Sequence, residues 1–507
     1  MARVGTLPRV PSVRTSWPVG SAEADLAHRP RADLLVEHAA GEGVFEQAEG
    51  PFERYRRTVT TSPGAVTEVI EYRLVLPWFR WLFGPLVRRS LRRRPTGERL
   101  PWWSPPDRLD QREALVLGLL AAASLIAGFV NTLFTQTVHQ ATLEFHIGSE
   151  GQGVAATVVR FGIVLALPLW YLADRLGRRR AMVFAAWAAP LLAALGALAP
   201  SFVALTATQT LARPLAISLD LLIAVVATEE VPRNSRAYAL SILAMSAGLG
   251  AGLCVMTLPL ADLGPRAWRL VYLMPLVLLV VARDLRRRLP ETRRFELHRG
   301  EPAPRVRGRR FWILVAAAAI GNVFVAPASV FQNRYLENVR GFNNTLISAF
   351  TLGTQTPGGL GLLIGGKLAD LRGRRHLAVG CLLGATALTV CSYAVGGGAL
   401  WIVSIAGAVL GGLSYPALAV YRTELFPTGN RGLAGGMVTM AALLGGGVGL
   451  LVAGAWLRVA SYALVMGVLS LGAIVVAALV LTAYPETAHR ELEELNPQDR
   501  AAPVAGG

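Results

Sequence analysis

Leu172-Ala173-Asp174-Arg175-Leu176-Gly177-Arg178-Arg179 returns as Leu368-Ala369-Asp370-Leu371-Arg372-Gly373-Arg374-Arg375, and the two aspartates stand 196 positions apart. Two further motifs repeat at almost the same offset. Glu229, Pro232 and Arg236 return as Glu424, Pro427 and Arg431, and Pro290-Glu291-Thr292 returns as Pro485-Glu486-Thr487; in both cases the prolines are 195 positions apart. Three motifs in one order at one spacing mark an internal duplication.

The sequence around them is apolar. Of 507 residues, 53% are hydrophobic and 16% charged, and the mean hydropathy is +0.44, a balance foreign to a soluble domain of this size. A bilayer span takes about 20 apolar residues in a helix, the form that satisfies its own backbone polar groups in hydrocarbon. Twelve runs qualify: Leu115–Phe134, Gly153–Ala173, Met182–Ala199, Phe202–Val226, Leu240–Leu260, Ala267–Ala282, Phe311–Phe331, Leu346–Gly366, Leu377–Tyr393, Leu400–Tyr421, Leu433–Leu457 and Ala460–Tyr484. The sixth is short and carries Arg269 near its start.

The repeated motifs follow the second, fourth and sixth run of each half, so the halves are parallel repeats with one orientation. The same connections hold the arginines: Arg175, Arg178, Arg179 and Arg180, then Arg233 and Arg236, then the Arg283–Arg310 stretch, then Arg372, Arg374 and Arg375. Under the positive-inside rule these loops face the cytoplasm, and both chain ends lie there too. The net charge of +17 therefore reads as topology rather than nucleic-acid binding. Cys254, Cys381 and Cys391 sit within apolar runs, where thiols pack as small apolar groups, and no disulfide is expected.

With these loops in view, the chain resembles the major facilitator superfamily, whose D-R-x-G-R-R signature lies between helices two and three. The E-x-x-P-x-x-x-R loops and the Pro-Glu-Thr tails, the second running into Arg490-Glu491-Leu492-Glu493-Glu494-Leu495, resemble the sugar-porter and metabolite–proton symporter branch. The resemblance covers residues 110 to 495. It implies a membrane protein of twelve transmembrane helices in two six-helix bundles, all-α apart from its leader, working by alternating access around a midplane cavity. It also implies a gate in which Asp174 with Arg175 and Arg178, Asp370 with Arg374, Glu229 with Arg236, and Glu424 with Arg431 make and break contacts at the cytoplasmic helix ends. The expected parts are a leader (1–110), a six-helix half (111–283), a linker (284–310), a second half (311–484) and a tail (485–507).

Ionisable groups inside spans are costly and mark function by default. Arg160 falls in helix two, Arg213 and Asp220 in helix four, and no ionisable residue of the second half stands out at similar depth. Arg213 and Asp220 share a helix face two turns apart, about 10 Å along the axis and too far to pair directly. By resemblance, Arg213 falls where related carriers place an arginine. Asp220 is the candidate proton site, against the alternative of a static interhelical pair. Asn131 and Gln136, Asn322 and Gln332, Gln355, and Tyr415 are candidate cavity-lining groups, each equally able to serve as an interhelical hydrogen bond. His139 and His146 stand near the outer end of helix one. The glycines Gly445-Gly446-Gly447 and Gly449, and Gly358-Gly359 and Gly361, lack the preceding strand a phosphate loop needs and read as close helix contacts.

In the leader, no apolar core of signal length occurs. Residues before about Gly50 read as disordered. Phe52–Thr61 and Val66–Leu76 alternate around Ser62-Pro63-Gly64 as a hairpin. Trp78, Phe79, Trp81, Leu82, Phe83, Leu86 and Val87 followed by Arg88, Arg89, Arg92, Arg93 and Arg94 read as an interfacial amphipathic segment held by anionic headgroups.

The expectation is a monomeric secondary transporter of the inner membrane for a small organic solute, proton-coupled and without cofactor, metal, enzymatic activity or nucleic-acid partner. Val130-Asn131 stands where sugar porters place a helix-one aspartate, and helix seven lacks Gln-Gln-Leu-Ser; two buried arginines against one aspartate tilt the reading toward an organic anion. The alternatives are export by proton antiport, and a non-transporting sensor or scaffold that signals through the leader.

Overall fold

The computed structural model describes residues 11–93, 100–101, 103–147, 149–297, 308–342 and 344–499. The chain divides into two compact units, Met1–Leu119 and Leu120–Gly507.

The first unit is a β-domain. Strands β1 (Ser12–Pro18), β2 (Val36–Gly41), β3 (Val44–Glu49), β4 (Phe52–Ser62) and β5 (Ala65–Leu74) form an antiparallel sheet in the order β1-β5-β4-β3-β2, with helix α1 (Ala22–Ala27) after β1 and α2 (Arg80–Leu91) after β5. In β5 the buried residues Val66, Glu68, Ile70, Tyr72 and Leu74 alternate with less buried ones, the period-two pattern of a sheet with one covered face. Pro63 and Gly64 (φ +102°) close the β4–β5 turn.

The expected disorder before Gly50 is thus corrected for residues 11–49, and residues 1–10 lie outside the described ones. Val13, Leu34 and Leu35 join Phe52, Tyr55, Ile70, Tyr72, Leu74, Val87 and Leu91 in one core. These apolar residues are spread thinly through polar sequence, which hides them from a local reading. The core also takes in charge. The Arg57 guanidinium binds Glu37 at 2.6 Å with both side chains fully buried, and Tyr55 Oη donates to the same carboxylate at 2.6 Å. Burial, followed by the Glu37 charge, pushes the Tyr55 hydroxyl well above the usual tyrosine range.

The second unit, entered within the first helix, holds twelve helical rods among the described residues. Rod 1 is Gln111–Glu144, rod 2 Ser149–Phe161 and Leu167–Leu176 around a 3-10 turn, rod 3 Arg178–Leu195, rod 4 Phe202–Glu230, rod 5 Arg236–Met256, and rod 6 Trp268–Leu273 and Leu279–Arg288. Rod 7 is Arg309–Asn338, rod 8 Asn344–Arg372, rod 9 Arg375–Ser392, rod 10 Gly397–Glu424, rod 11 Arg431–Trp456, and rod 12 Tyr462–Leu469 and Leu471–Ala483. Among the described residues, ten rods contain a stretch long and apolar enough to cross a membrane. Rod 6 is broken by the 3-10 segment Met274–Leu278 with Pro275 near its start, since proline lacks the N–H a continuous helix needs. Rod 8 is diluted by Thr351, Thr354, Gln355, Thr356 and four glycines between Gly353 and Gly361.

Packing follows the duplication. A Cβ on Gly250 of rod 5 would collide with the Leu125 backbone of rod 1, and one on Gly445, 195 positions later, would collide with the Ala319 backbone of rod 7. Glycine at these points lets backbones touch. The halves meet chiefly through rod 2 against rod 11 and rod 5 against rod 8, two contacts related by the same repeat. Between rods 6 and 7, a short helix Arg293–Leu297 follows Pro290-Glu291-Thr292; the rest of the expected linker, residues 298–307, lies outside the described residues.

Candidate functional site

The repeated motifs lie together on one face of the helical unit. Rods 5 and 11 start there, and the first N–H groups of a helix have no intrahelical acceptor and carry the positive end of its dipole. Asp174, at the end of rod 2, accepts from Gly432 N at 3.0 Å and Leu433 N at 2.8 Å on rod 11. Asp370, at the end of rod 8, accepts from Tyr238 N at 2.9 Å on rod 5. Each half therefore supplies the carboxylate that caps a helix of the other.

Around each cap is a buried ion cluster. Arg178 pairs with Asp174 at 2.8 Å and Glu229 at 3.4 Å, and Arg431 of the opposite half reaches Glu229 at 2.7 Å. In the matching cluster Arg374 pairs with Asp370 at 2.9 Å and also with Glu424, while Arg236 of the opposite half reaches Glu424 at 3.2 Å. Arg178 donates to the carbonyl of Thr428, and Arg374 donates to that of Arg233 at 3.4 Å. Thr228 and Thr423, another pair 195 positions apart, share a hydrogen bond of 2.8 Å between rods 4 and 10.

Arg175 does not enter this network: it is exposed, with its guanidinium 5.3 Å above the Tyr171 ring. Glu229 and Glu424 bind the arginine of the opposite half rather than Arg236 and Arg431 of their own loops. Sequence reading missed three partners. Thr292 Oγ1 donates to Glu229 at 2.7 Å. Arg374 donates to Thr487 Oγ1 at 2.8 Å. Asp499 accepts from Thr428 N and Oγ1 at 3.0 Å. The repeated threonine after Pro-Glu was the available signal for the first two.

The glutamates of the Pro-Glu-Thr motifs sit beyond the rods and differ. Glu486 is half-buried, but N–H groups of Ala488, Arg374 and Arg375 outweigh that burial and hold its carboxyl below the usual range. Glu291 accepts from Arg179 N at 3.1 Å and from Thr292 N; there burial prevails and raises the carboxyl above its usual range. At the far end of rod 1, burial of Glu144 is likewise outweighed by hydrogen bonds from Arg269 and Trp268, which hold it low.

Asp220 is accessible and lines a cavity of about 60 Å³ with Ile217, Tyr415, Arg422, Thr423 and Thr439. It is within electrostatic reach of Arg422, on rod 10 of the opposite half. This corrects the expectation that the second half offers no ionisable group at comparable depth: rod 10 runs to Glu424, past the Tyr421 end read from hydropathy. Arg213 is partly buried, and its charge meets that of Arg160 rather than Asp220.

The neutral polar candidates are scattered. The Asn131 side-chain oxygen is buried without a hydrogen-bond partner, whereas Asn322 donates to Ala318 O of its own helix at 3.1 Å. Gln136 and Gln355 are exposed and Gln332 is partly buried. The side chain of His139 lies outside the described ones, and His146 is exposed with φ +54°.

A sequence profile of the Major Facilitator Superfamily matches residues 120–354 and 340–505. The chain belongs to that superfamily. Its fold is also that of solved transporters. The proton:xylose symporter XylE aligns at 16% identity and a TM-score of 0.67, over 76% of this chain and 99% of that one. FucP, in the outward conformation, aligns at 15% and 0.61 over 73% and 99%. The human organic anion transporter MFSD10 aligns at 14% and 0.58 over 74% and 100%. At such identities the likeness establishes the fold alone. No curated protein sequence matches this superfamily member significantly.

Proposed function

We propose that this superfamily member is a proton-coupled symporter that carries a small organic anion across the cytoplasmic membrane by alternating access. The observation that carries the reading is the reciprocal capping of rods 11 and 5 by Asp174 and Asp370. Those ties close one face of the helical unit, and a transport cycle must break them to open it. The Arg-rich loops on that face support reading it as the cytoplasmic one, and the proposal puts both termini on that side.

Asp220 and Arg422 stand in opposite halves, just inside the closed layer. An ionised Asp220 attracts Arg422 and holds the halves together, and a proton on the carboxyl cancels that attraction. Arg213 and Arg160 gather positive charge in one half with no acidic partner of their own among the described residues, which suits a carboxylate-bearing solute. Asp220 is then the proton site, Arg213 and Arg160 the anion-binding pair, and Tyr415 and Asn131 candidate solute contacts.

The test is uptake into proteoliposomes of a panel of carboxylates and sugars, with and without an inward proton gradient. The reading expects saturable carboxylate uptake driven by the gradient, lost in Asp220→Asn and weakened in Arg213→Ala. Uptake of neutral sugars untouched by Arg213→Ala would overturn the anion assignment. Uptake indifferent to the gradient and to Asp220→Asn would overturn proton coupling.

A further inference from the structure

Helix α2 of the β-domain has two unlike faces. Val87 and Leu91 are buried in the domain core, and Phe83 packs on Trp103 at 6.2 Å between ring centroids. On the other side Trp81, Pro85, Arg88 and Arg92 follow one another at helical spacing, flanked by Leu82 and Arg89, and all six are exposed. Trp81 is 74% exposed and Leu82 44%. Indole rings rarely stand so open on a soluble surface.

Three observations point to the same occupant. The helix contains no acidic residue, and its last turn and cap add Arg88, Arg89 and Arg92 to Arg80 at its start. Trp78, just ahead of it, is 41% exposed and held at φ +64°, a left-handed conformation that is strained for an aromatic residue and tends to persist where function requires it. Third, α2 is joined in sequence to rod 1, which begins at Gln111, so the helix is tethered to a membrane span through residues 92–110.

The attitude of α2 is fixed rather than loose. Buried Arg31 donates to the carbonyls of Leu91 at 2.9 Å, Ser90 at 3.2 Å and Arg93 at 3.1 Å, and is itself gripped by Asp33 at 2.8 Å. The clamp turns the Trp81 and Arg88 side outward whatever lies beyond it.

We propose that the exposed face of α2 docks the β-domain on the membrane surface, with Trp81 and Leu82 entering the headgroup region and Arg88, Arg89 and Arg92 binding anionic lipid phosphates. Indoles prefer the interface and arginines the negative surface. The occupant is a lipid surface.

The full chain, with Cys254, Cys381 and Cys391 replaced by serine, is placed in nanodiscs with and without phosphatidylglycerol. A nitroxide is attached at Leu82→Cys, at Pro85→Cys or at Ser62→Cys on the far β4 turn, and its collisions with oxygen and with an aqueous nickel chelate are measured. The two α2 sites should be oxygen-accessible and nickel-shielded in anionic discs, while Ser62→Cys stays aqueous. Each Arg88, Arg89 or Arg92→Gln change should lower the docked-to-free ratio about five-fold, and exposed Trp81→Ala should lower it without unfolding the domain. Equal nickel access at all three sites overturns the proposal. So does shielding from both reagents at α2, which means a protein covers the face, or capture of an oligonucleotide by the same arginines with no gain in oxygen access in anionic discs.

Discussion

Substituting Gly436 by alanine should open the closed face. Gly436 on rod 11 lies against the indole of Trp170 on rod 2, and an added methyl would stand far inside van der Waals contact with Cε3 of that ring. Trp170 cannot yield easily: it is fully buried, packed with Ile163, Ala166 and Leu221 and backed by Leu167, Ile217 and Met440. Overpacking of this kind costs about 1–3 kcal/mol. Because the two residues belong to different halves, the cost falls on the closed arrangement alone, and it converts to roughly a 5–150-fold shift in the closed-to-open ratio.

The shift can be read from a pair of spin labels at Arg180→Cys and His376→Cys, exposed sites 196 positions apart on the two halves, in a background without native cysteines. Gly436→Ala should move the distance distribution toward longer separations and depress transport. Trp170→Leu in the same chain should restore both, since the smaller side chain makes room. A distribution unchanged by Gly436→Ala, or a shift that Trp170→Leu fails to reverse, would refute the claim that this contact closes the face.

Three other outcomes follow from the same geometry. Asp174→Asn and Asp370→Asn should each weaken the closed state by about 1.5–3 kcal/mol, the worth of hydrogen bonds to a charged acceptor, and each should lengthen the same label distance. Glu486, held low by N–H groups of its own half, contributes stability to the second half that is present at neutral pH and lost as pH falls through its depressed pKa; Glu291, held high, is strained when ionised, so its strain is absent at acid pH and grows as pH rises through its elevated pKa. Glu486→Gln should therefore loosen the start of rod 9 at pH 7 while Glu291→Gln leaves the start of rod 3 as firm as before, and hydrogen-exchange protection of the first amides of rods 9 and 3 from pH 4 to 8 checks both. In the β-domain, Arg57→Met should cost about 3–5 kcal/mol by leaving Glu37 buried without its cation, and Arg57→Met with Glu37→Gln should recover much of it, as protection of β4 amides against hydrogen exchange would reveal.

How much of this was legible in the sequence depends on the range of the signal. Twelve apolar runs and a duplicated set of loops are local patterns, and they specify the rods and the face on which Asp174 and Asp370 lie. Partners across the halves are another matter. Nothing local in the sequence says that Arg431 turns to Glu229, 202 positions away, rather than to the glutamate of its own loop. Arg422 escaped notice for a similar reason: hydropathy ends rod 10 where charges begin, although those charges continue the helix into a buried layer. In the β-domain the missing term was compensation. Arg31, Asp33, Glu37, Arg57 and Glu68 are buried together, so charge that locally suggests disorder belongs to the interior.

The composition of the closed layer bears on how such a face can open at all. Asp174, Asp370, Glu229 and Glu424 are matched one for one by Arg178, Arg374, Arg236 and Arg431, and every one of these side chains is almost wholly buried. An apolar seam of the same area would bind the halves by about 25 cal/mol for each Å² removed from water and would resist reopening. A balanced ionic seam is different, because the attraction gained on closing is largely offset by the cost of stripping water from the charges. The two arrangements of the halves can then lie within a few kcal/mol of one another. A single further interaction across the interface, such as Asp220 with Arg422, is large enough on that scale to choose between them.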